Sequence, residues 1–554
     1  MNIRKYYHLL TLRRSKGLLM SHRRCVHQTS PAEIHHISHH HQPPPPPQPP
    51  SLFSSYGHIS RNTYMSRNVI GTNNFFKSIY STPNPKHYLS QVSTIHTSEL
   101  PLYEDDSSQL DYSVTVKGRE VISAAVTSAN EHWLPLSNLD LLLPPIEVGV
   151  FFCYKKKNID MSTQTVVDTV KKSLAGVLST YYPLAGEIVQ NSHGEPEVLC
   201  NNSGVEFVHA HADVELKDLD LYHPDYSVKG KLVPHIDRGV LSVQVTELKC
   251  GSMIISCAFN HQLSDAYSIG MFIAAWAKYA RLEKISNIPS FRPSMFNPRH
   301  PPHYETTHDN LYIPITSLPP PSSFEEPLES RMYYVRAESI EHIQSEAKRS
   351  KFLSFTAYLW KLLADGSGND VASTISRMGV VVNGRRFLTQ VNEKSPSLFE
   401  NHYGNALSVP YGVAANSDLK AMQLHEVANM VHGFVAETTN EEHFRGLIDW
   451  VELHRPTQAV ARIYFGHEKS EGRAVVVSSG RDLPINDMDF GWGKPEFGSF
   501  HVPWGSRTGY VATMPSASGN GDWVVYMHLN EKEFDVIEHM APNVFTPLSI
   551  SNLV

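Results

Sequence analysis

The sequence predicts an α/β protein organised as two units, each of which contains both strands and helices. The chain has 554 residues, which is more than a single hydrophobic core usually accommodates. Strand-like alternation and helix-like periodicity occur on both sides of a proline-rich stretch at 288–327. Two α/β layers joined by a long crossover account for these observations.

The patterns of the first unit begin near Tyr112. Residues 147–154 (EVGVFFCY) form a continuous apolar run, which is typical of a buried strand. Apolar residues at helical spacing then continue towards Pro183, before which a helix has to end. Strand-like runs in 241–259 predict a hairpin, and an amphipathic helix is predicted after Asp265.

The second unit repeats this mixture of strands and helices. A strand is predicted at 331–335, and helical periodicity begins at Glu338. Two further strands are predicted at 474–477 and 523–529, the latter after a turn with the sequence GNGD. The second unit is therefore expected to have its own sheet.

Composition and charge exclude several classes of function. Charged residues make up 19% and hydrophobic residues 41% of the chain, as in ordinary globular proteins. The net charge is -7, without a basic stripe in the patterned part, which argues against nucleic acid as a partner. No run of eighteen apolar residues occurs, so no membrane span is expected. The five cysteines contain no CxxC pair, which argues against a zinc site or a disulfide framework.

The first 110 residues differ in composition from the rest. Five prolines at 43–47 follow a histidine cluster, and such low-complexity sequence predicts disorder. The first thirty residues are basic and contain no acid, which is typical of an organelle transit peptide. An over-extended gene model, with translation starting at Met65 or later, is the alternative. We expect a cytoplasmic protein, or a plastid or mitochondrial one if the extension is a real transit peptide.

One short motif suggests chemistry. His261 and Asp265 bound the sequence HQLSD, between the predicted hairpin and the helix that follows it. A histidine at such a junction can take a proton from an alcohol near neutral pH. Asp265 stands where a carboxylate can cap the helix. Taken alone, the motif also fits a core histidine whose ring is satisfied by backbone groups.

A second motif changes this interpretation. Residues 489–495 read DFGWGKP, and HxxxD followed by DFGWG resembles the plant BAHD acyltransferase family. Further segments agree with the family in order: YYPLAG at 181–186, NGR at 383–385 and YGN at 403–405. The resemblance extends from Tyr112 to the last residue.

The resemblance implies an α/β fold of two chloramphenicol-acetyltransferase-like domains at 111–287 and 329–554, with a crossover at 288–328 and an active-site channel between them. It implies a monomeric acyltransferase whose partners are acyl-CoA and a small alcohol. Acyl-CoA would be a co-substrate, with no permanently bound cofactor and no metal. His261 would deprotonate the alcohol, which attacks the thioester directly in a ternary complex.

The same resemblance gives the other motif residues structural roles. Asp265 would point away from the substrate and pair with Arg385, so that the loop carrying His261 is fixed. The DFGWG segment would lie away from the reacting atoms. Its supporting residues would be Asp489, Gly491, Trp492 and Gly493.

Within the family, the segments at 132–140 and 478–484 resemble coniferyl alcohol acyltransferases. This implies transfer of an acetyl or hydroxycinnamoyl group to a phenylpropanoid-type alcohol such as coniferyl alcohol. Hydroxycinnamoyl transfer to shikimate, quinate or a fatty alcohol is an alternative. A catalytically inactive homologue that binds acyl-CoA or another ligand is a third possibility.

The chain departs from the family pattern at four positions. Asn383 replaces an aspartate, and His402 stands where the family has a phenylalanine. Gly480 replaces a tryptophan, and Arg481 stands where shikimate transferases place a threonine that steadies the oxyanion. The last departure argues against a shikimate acceptor.

We predict that residues 1–110 are dispensable for catalysis, because a complete family-sized unit follows Tyr112. A variant that begins near Asp106 should match the full chain in kcat, KM and thermal unfolding. An insoluble or inactive truncated protein would instead show that the extension packs on the core. A fluorescent fusion to residues 1–110 tests the localisation, since a plastid or mitochondrial signal would contradict the cytoplasmic expectation.

Overall fold

The structure is a computed structural model. It describes residues 111–126, 131–156, 159–318, 327–366, 375–388, 397–464, 472–503 and 507–553. The predicted extension at 1–110 lies outside these residues. Within them, no helix combines the length and the apolar composition that crossing a membrane requires.

The strands are numbered in chain order. They are β1 (Val114–Ile122), β2 (His132–Pro135), β3 (Glu147–Tyr154), β4 (Glu187–Gln190), β5 (Pro196–Cys200), β6 (Val205–Ala212), β7 (Leu241–Leu248), β8 (Met253–Asn260), β9 (Tyr312–Pro314) and β10 (Leu328–Val335). They continue with β11 (Ile375–Val380), β12 (Val382–Asn383), β13 (Leu407–Ser408), β14 (Tyr411–Ala415), β15 (Ala459–Ala461), β16 (Arg473–Ser479), β17 (Phe497–His501), β18 (Gly509–Pro515), β19 (Trp523–Asn530) and β20 (Thr546–Pro547).

The α-helices are numbered in the same way. They are α1 (Thr163–Leu178), α2 (Pro224–Ser227), α3 (Ala266–Ala280), α4 (Thr307–Leu311), α5 (Ala337–Ala347), α6 (Lys351–Gly366), α7 (Ser397–Glu400), α8 (Asn416–Ala421), α9 (Leu424–Thr438), α10 (Glu441–His454) and α11 (Glu531–Met540).

The first sheet has the strand order β1-β6-β7-β8-β3-β17 among the described residues. The predicted hairpin is confirmed, since β7 and β8 pair antiparallel with Leu241 opposite Phe259. Every residue of β8 before Asn260 is buried. A strand that is covered on both faces reads as a continuous apolar run, which explains the sequence pattern. The end of β8 delivers His261 to the edge of this sheet.

Helices α1 and α3 pack against each other beside the first sheet. Trp276 of α3 donates its indole N–H to Ser173 Oγ of α1 at 2.9 Å. The predicted end of α1 near Pro183 is wrong, because the helix ends at Leu178 and a 3-10 turn covers Tyr182–Ala185. The early end lets the buried Tyr181 ring turn inward, where it lies 5.4 Å from the ring of Phe272.

The second sheet has the order β14-β11-β16-β18-β19-β10-β20 in the described part of the chain. Its centre is parallel, since β16 pairs in parallel with β11 on one side and β18 on the other. The strands predicted at 331–335, 474–477 and 523–529 are confirmed within β10, β16 and β19. The predicted crossover contains the short elements α4 and β9.

One strand crosses between the two halves of the molecule. β17 follows β16 in the chain, yet it pairs antiparallel with β3 of the first sheet. Phe497 lies opposite Cys153 and His501 opposite Gly149. Residues 497–501 therefore belong to the first sheet, although they fall within the range predicted for the second domain. The other predicted domain limits stay predictions.

A partly buried carboxylate reinforces this crossing. Asp225 of α2 accepts hydrogen bonds from the backbone N–H of Ser330 in β10, at 2.7 Å, and from the ring of His501 in β17, at 2.9 Å. Burial acts to raise the pKa of Asp225, but these donors outweigh it and lower the pKa to about 2. Asp225 therefore stays ionised and links the two sheets at neutral pH.

We predict that Asp225→Ala lowers the free energy of unfolding by about 3 kcal/mol, because His501 and the Ser330 N–H lose a buried partner. Denaturant unfolding measures the change. Asp213→Ala is the matched control, since Asp213 forms only a surface pair with Lys249 at 3.3 Å, and about 1 kcal/mol or less is expected there. Equal effects for the two variants would contradict the role of Asp225.

Candidate active site

A large cavity lies between the two sheets and contains the candidate base. Its volume is about 760 Å³. His261 lines it together with side chains from both halves of the chain, and most of these are apolar. They include Leu142, Ile146, Val148 and Phe259 from the first half and Phe352, Leu353, Val380, Tyr510, Met514 and Trp523 from the second.

His261 is positioned directly by the first sheet. It follows the last residue of β8, and its backbone N–H donates to the carbonyl oxygen of Ile146 at 2.9 Å. The residue is half-buried, with its ring 6.5 Å from that of Phe259. Burial lowers the pKa of His261 below its usual value. The imidazole is therefore neutral at physiological pH and available to accept a proton.

Asp265 and Arg385 form the ion pair that the resemblance implies. Arg385 Nη1 lies 2.7 Å from Asp265 Oδ2, and Nη2 lies 3.2 Å from Oδ1. The side chain of Arg385 is 2% exposed and that of Asp265 is 1% exposed. Asp265 Oδ1 also accepts the N–H of Ser268 at 2.9 Å, so it caps α3 as predicted. Both carboxylate oxygens are occupied, and Asp265 forms no catalytic triad with His261.

Arg385 also holds the backbone of the YGN segment. Its Nη2 donates to Gly404 O at 2.8 Å and its Nε donates to His402 O at 3.3 Å. The ring of Tyr267 covers the guanidinium with a centroid distance of 4.7 Å. The buried cation is therefore fully partnered, which is the condition for its burial.

Two departures from the family pattern are accommodated next to this pair. Asn383 Oδ1 accepts the Arg385 backbone N–H at 3.1 Å and caps the short turn Gly384–Arg386, which needs an acceptor but no charge. His402 is buried with its ring edge-on to Phe296 at 4.4 Å. Burial, reinforced by the charge of Arg385, lowers the pKa of His402 to about 3. His402 is therefore a neutral aromatic side chain that fills the place of a phenylalanine.

The two other departures lie in the cavity wall. A Cβ at Gly480 would lie 2.6 Å from Met514 Cγ, so Met514 occupies space that a side chain at 480 would need. The Arg481 side chain is two-thirds exposed and lies 3.7 Å from Asp482. It therefore does not take the place of a small hydroxyl donor inside the cavity.

The DFGWG segment connects β16 to the crossing strand and is not part of the cavity lining described above. Asp489 Oδ1 accepts the N–H groups of Gly491 and Gly493 at 2.7 and 2.9 Å. Both glycines have positive φ, at 111° and 103°, a region that disfavours other residues. Trp492 is buried edge-on to Tyr154 at 6.2 Å. The tight turn thus fixes an aromatic contact just before β17.

Two buried polar residues near His261 were not singled out from the sequence as site residues. Asp140 Oδ1 accepts the backbone N–H of Asn405 at 2.6 Å and its Nδ2 at 3.0 Å. Asn405 Nδ2 in turn donates to His261 O at 2.9 Å. The sequence signals are a lone aspartate inside the apolar run LDLLL at 139–143, where an acid needs specific donors, and the place of Asn405 at the end of the YGN segment.

The described residues contain no group of three or more His, Cys, Asp and Glu placed to hold a metal ion.

Comparison of the sequence with known proteins identifies relatives over most of the patterned region. The model of the Transferase family matches residues 112–543. Shikimate O-hydroxycinnamoyltransferase of Nicotiana tabacum is 24% identical over 437 residues, which cover 75% of this chain and 96% of that protein. Benzyl alcohol O-benzoyltransferase of Petunia hybrida is 27% identical over 443 residues, which cover 73% and 89% respectively.

Comparison with solved structures confirms the predicted fold. Vinorine synthase superposes with a TM-score of 0.59 at 22% identity, covering 79% of this chain and 100% of that one. TRI101 of F. graminearum, complexed with coenzyme A and deoxynivalenol, gives a TM-score of 0.59 at 13% identity, covering 74% and 97%. The two α/β domains with a cavity between them are thus the chloramphenicol-acetyltransferase-like arrangement that the motifs imply.

We predict that Asp265→Asn destabilises the protein by about 3–5 kcal/mol and lowers kcat, because it leaves the buried Arg385 without a counter-charge. Urea unfolding and steady-state kinetics measure both effects. Glu215→Gln is the control, since its pair with Lys217 is exposed and contributes about 1 kcal/mol at most. An Asp265→Asn protein with wild-type stability would show that the ion pair does not maintain the loop.

Proposed function

Since this chain belongs to the Transferase family, the BAHD acyl-CoA-dependent acyltransferases, we propose that it transfers an acyl group from coenzyme A to the hydroxyl of a phenylpropanoid-type alcohol. The observation that carries this proposal is the placement of a neutral histidine, His261, in an apolar cavity between the two domains. Acyl-CoA is the co-substrate. We further propose that the protein acts as a monomer.

The reaction needs one base and two aligned substrates. His261 takes the hydroxyl proton as the alcohol oxygen attacks the thioester carbonyl, giving a tetrahedral intermediate. The intermediate collapses, the carbon–sulfur bond breaks, and the thiolate of coenzyme A takes the proton back from the imidazolium. No acyl-enzyme is needed, because both substrates meet at the same base. Holding them together supplies much of the acceleration.

The cavity favours an aromatic substrate. Tyr312, Phe352 and Trp523 line it, and rings of this kind pack against phenyl groups. The relatives named above are called hydroxycinnamoyl and benzoyl transferases, and these names also describe aromatic acyl groups. We therefore propose acetyl or hydroxycinnamoyl transfer to an alcohol such as coniferyl alcohol. The exposed side chain of Arg481 argues against shikimate as the acceptor.

The non-enzymatic alternative is a homologue that binds acyl-CoA without turnover. The base, the ion pair beneath it and the cavity are all present, which disfavours this alternative. A substrate panel separates the possibilities. Acetyl-CoA and p-coumaroyl-CoA are each tested with coniferyl alcohol, benzyl alcohol, shikimate, quinate and a long-chain fatty alcohol, with detection of free thiol and mass spectrometry of the products.

The panel has three informative outcomes. Release of coenzyme A that depends on coniferyl alcohol and exceeds that with the other acceptors supports the full proposal. A preference for shikimate, quinate or the fatty alcohol would overturn the proposed acceptor and leave acyl transfer intact. Thioester binding without turnover on any alcohol would support the inactive homologue.

We predict that His261→Ala lowers kcat by about a hundredfold or more with the fold retained, because the hydroxyl loses its base. In the wild-type protein, kcat/KM should fall on the acid side with a midpoint below the usual histidine pKa of 6.5, since burial disfavours the imidazolium. His193→Ala, in an exposed loop, is the control and should behave as wild type. Near-normal turnover by His261→Ala would refute the assignment.

A further inference from the structure

Asp140 is a buried carboxylate without a counter-charge. Its Oδ2 accepts the backbone N–H of Ser137 at 2.9 Å and the Ser137 hydroxyl at 2.6 Å, while Oδ1 accepts both the backbone and the side-chain N–H of Asn405. Among the described residues, no lysine or arginine forms an ion pair with it. Burial raises the pKa of Asp140, and the four hydrogen bonds act in the opposite direction. These bonds fix the positions of the groups that donate them.

What Asp140 orients is the side-chain amide of Asn405, which is fully buried. Three oxygens surround Asn405 Nδ2: Asp140 Oδ1 at 3.0 Å, His261 O at 2.9 Å and Gln262 O at 3.1 Å. An amide oxygen at this place would face three acceptors without a donor, so the NH2 group must occupy it and the amide has one allowed orientation. Asn405 therefore holds the backbone at the first two positions of the HQLSD loop.

One polar atom of Asn405 and one of His261 remain to be accounted for in this arrangement. Asn405 Oδ1 and His261 Nδ1 are both buried, and neither forms a hydrogen bond within the described part of the chain. Burial lowers the pKa of His261, whereas the histidine's own backbone carbonyl, the charge of Asp265 and the Asn405 amide oxygen as an acceptor act in the opposite direction. The amide lies beside the histidine, since Asn405 Nδ2 is 2.9 Å from His261 O. An acceptor on one ring nitrogen decides which tautomer the histidine adopts.

We infer that Asn405, oriented by Asp140, is the positioning residue for His261: its nitrogen holds the histidine backbone and its oxygen accepts Nδ1–H. Nε2 is then the unprotonated nitrogen that takes the hydroxyl proton. A carboxylate has this task in serine protease triads, but here the nearby carboxylate of Asp265 is occupied by Arg385. A neutral amide fixes the tautomer without strongly raising the basicity of the ring. This inference rests on the proposed role of His261 as the base.

Asn405→Asp tests the inference because it preserves shape while replacing the amide by a carboxylate. The carboxylate cannot donate to His261 O, so kcat should fall by about tenfold or more, with KM for acyl-CoA changed less than about threefold. A negative charge beside Nδ1–H stabilises the imidazolium. The acid limb of kcat/KM should therefore move to higher pH by about one unit or more. A purely structural role would leave the position of this limb unchanged.

Asn138→Asp is the matched control. Asn138 is another buried asparagine, but its Nδ2 donates to Ile448 O and Glu452 Oε2 of α10, at 2.9 and 3.1 Å, and not to the His261 loop. The same chemical change there should leave the acid limb in place and kcat within about twofold of wild type. An equal pH shift in both variants, or none in Asn405→Asp, would overturn the inference.

A measurement on the wild-type chain keeps the inference testable if Asn405→Asp does not fold. Bromoacetyl-CoA without an alcohol alkylates the histidine at the site: the ring nitrogen forms a bond to the methylene carbon and bromide leaves. Acid hydrolysis then yields carboxymethylhistidine, and the modified nitrogen is identified by chromatography against standards. Modification at Nε2 is expected, because Nδ1 carries the proton that Asn405 accepts. Modification at Nδ1 would overturn the inference.

These results are distinguishable from a failure of the proposed function. If His261→Ala remains active, His261 is not the base and the proposed function fails first. If His261→Ala is inactive while Asn405→Asp has normal kcat and an unshifted acid limb, only the positioning role of Asn405 fails.

Discussion

The buried ion pair between Asp265 and Arg385 is the interaction on which the site depends. Asp265 begins α3 on the first-sheet side, and Arg385 follows β12 on the second-sheet side. Either charge alone would be strongly unfavourable at 1–2% exposure. The two loops can therefore be buried only together, and the cavity that contains His261 is complete only when the two domains are docked.

The crossing strand adds a second constraint of a different kind. β17 completes the first sheet, and the DFGWG turn before it packs Trp492 against Tyr154. Asp225 then ties β17 to β10 through His501 and Ser330. Of the two motifs that carry the family resemblance, DFGWG forms the turn before β17, and HQLSD contains the proposed base, His261. Most residues of the two motifs therefore stabilise the interface between the domains, where His261 lies.

Local sequence patterns predicted those helices and strands whose burial and caps are visible in their own residues. The buried β8 and the capped α3 follow directly from apolar runs and from Asp265. The pairing of β17 with β3 could not be predicted in this way, because periodicity records which faces of a strand are buried and not which strand lies beside it. The hydrogen-bonded pair of Asp140 and Asn405 could not be predicted for a related reason. Each residue belongs to a segment that carries the family resemblance, but 265 positions separate them in the chain and no local pattern shows that they are in contact.

A base without a triad carboxylate follows from how the charges are distributed. Although Asp265 is paired with Arg385, its charge still raises the pKa of His261, but burial lowers this pKa by more, so the imidazole is neutral. A more basic histidine would be protonated for more of the time at neutral pH, and would return its proton less readily to the departing thiolate. The direct mechanism needs the same group to accept and then donate a proton within one turnover. The proposed base, an imidazole of modest basicity, meets both requirements.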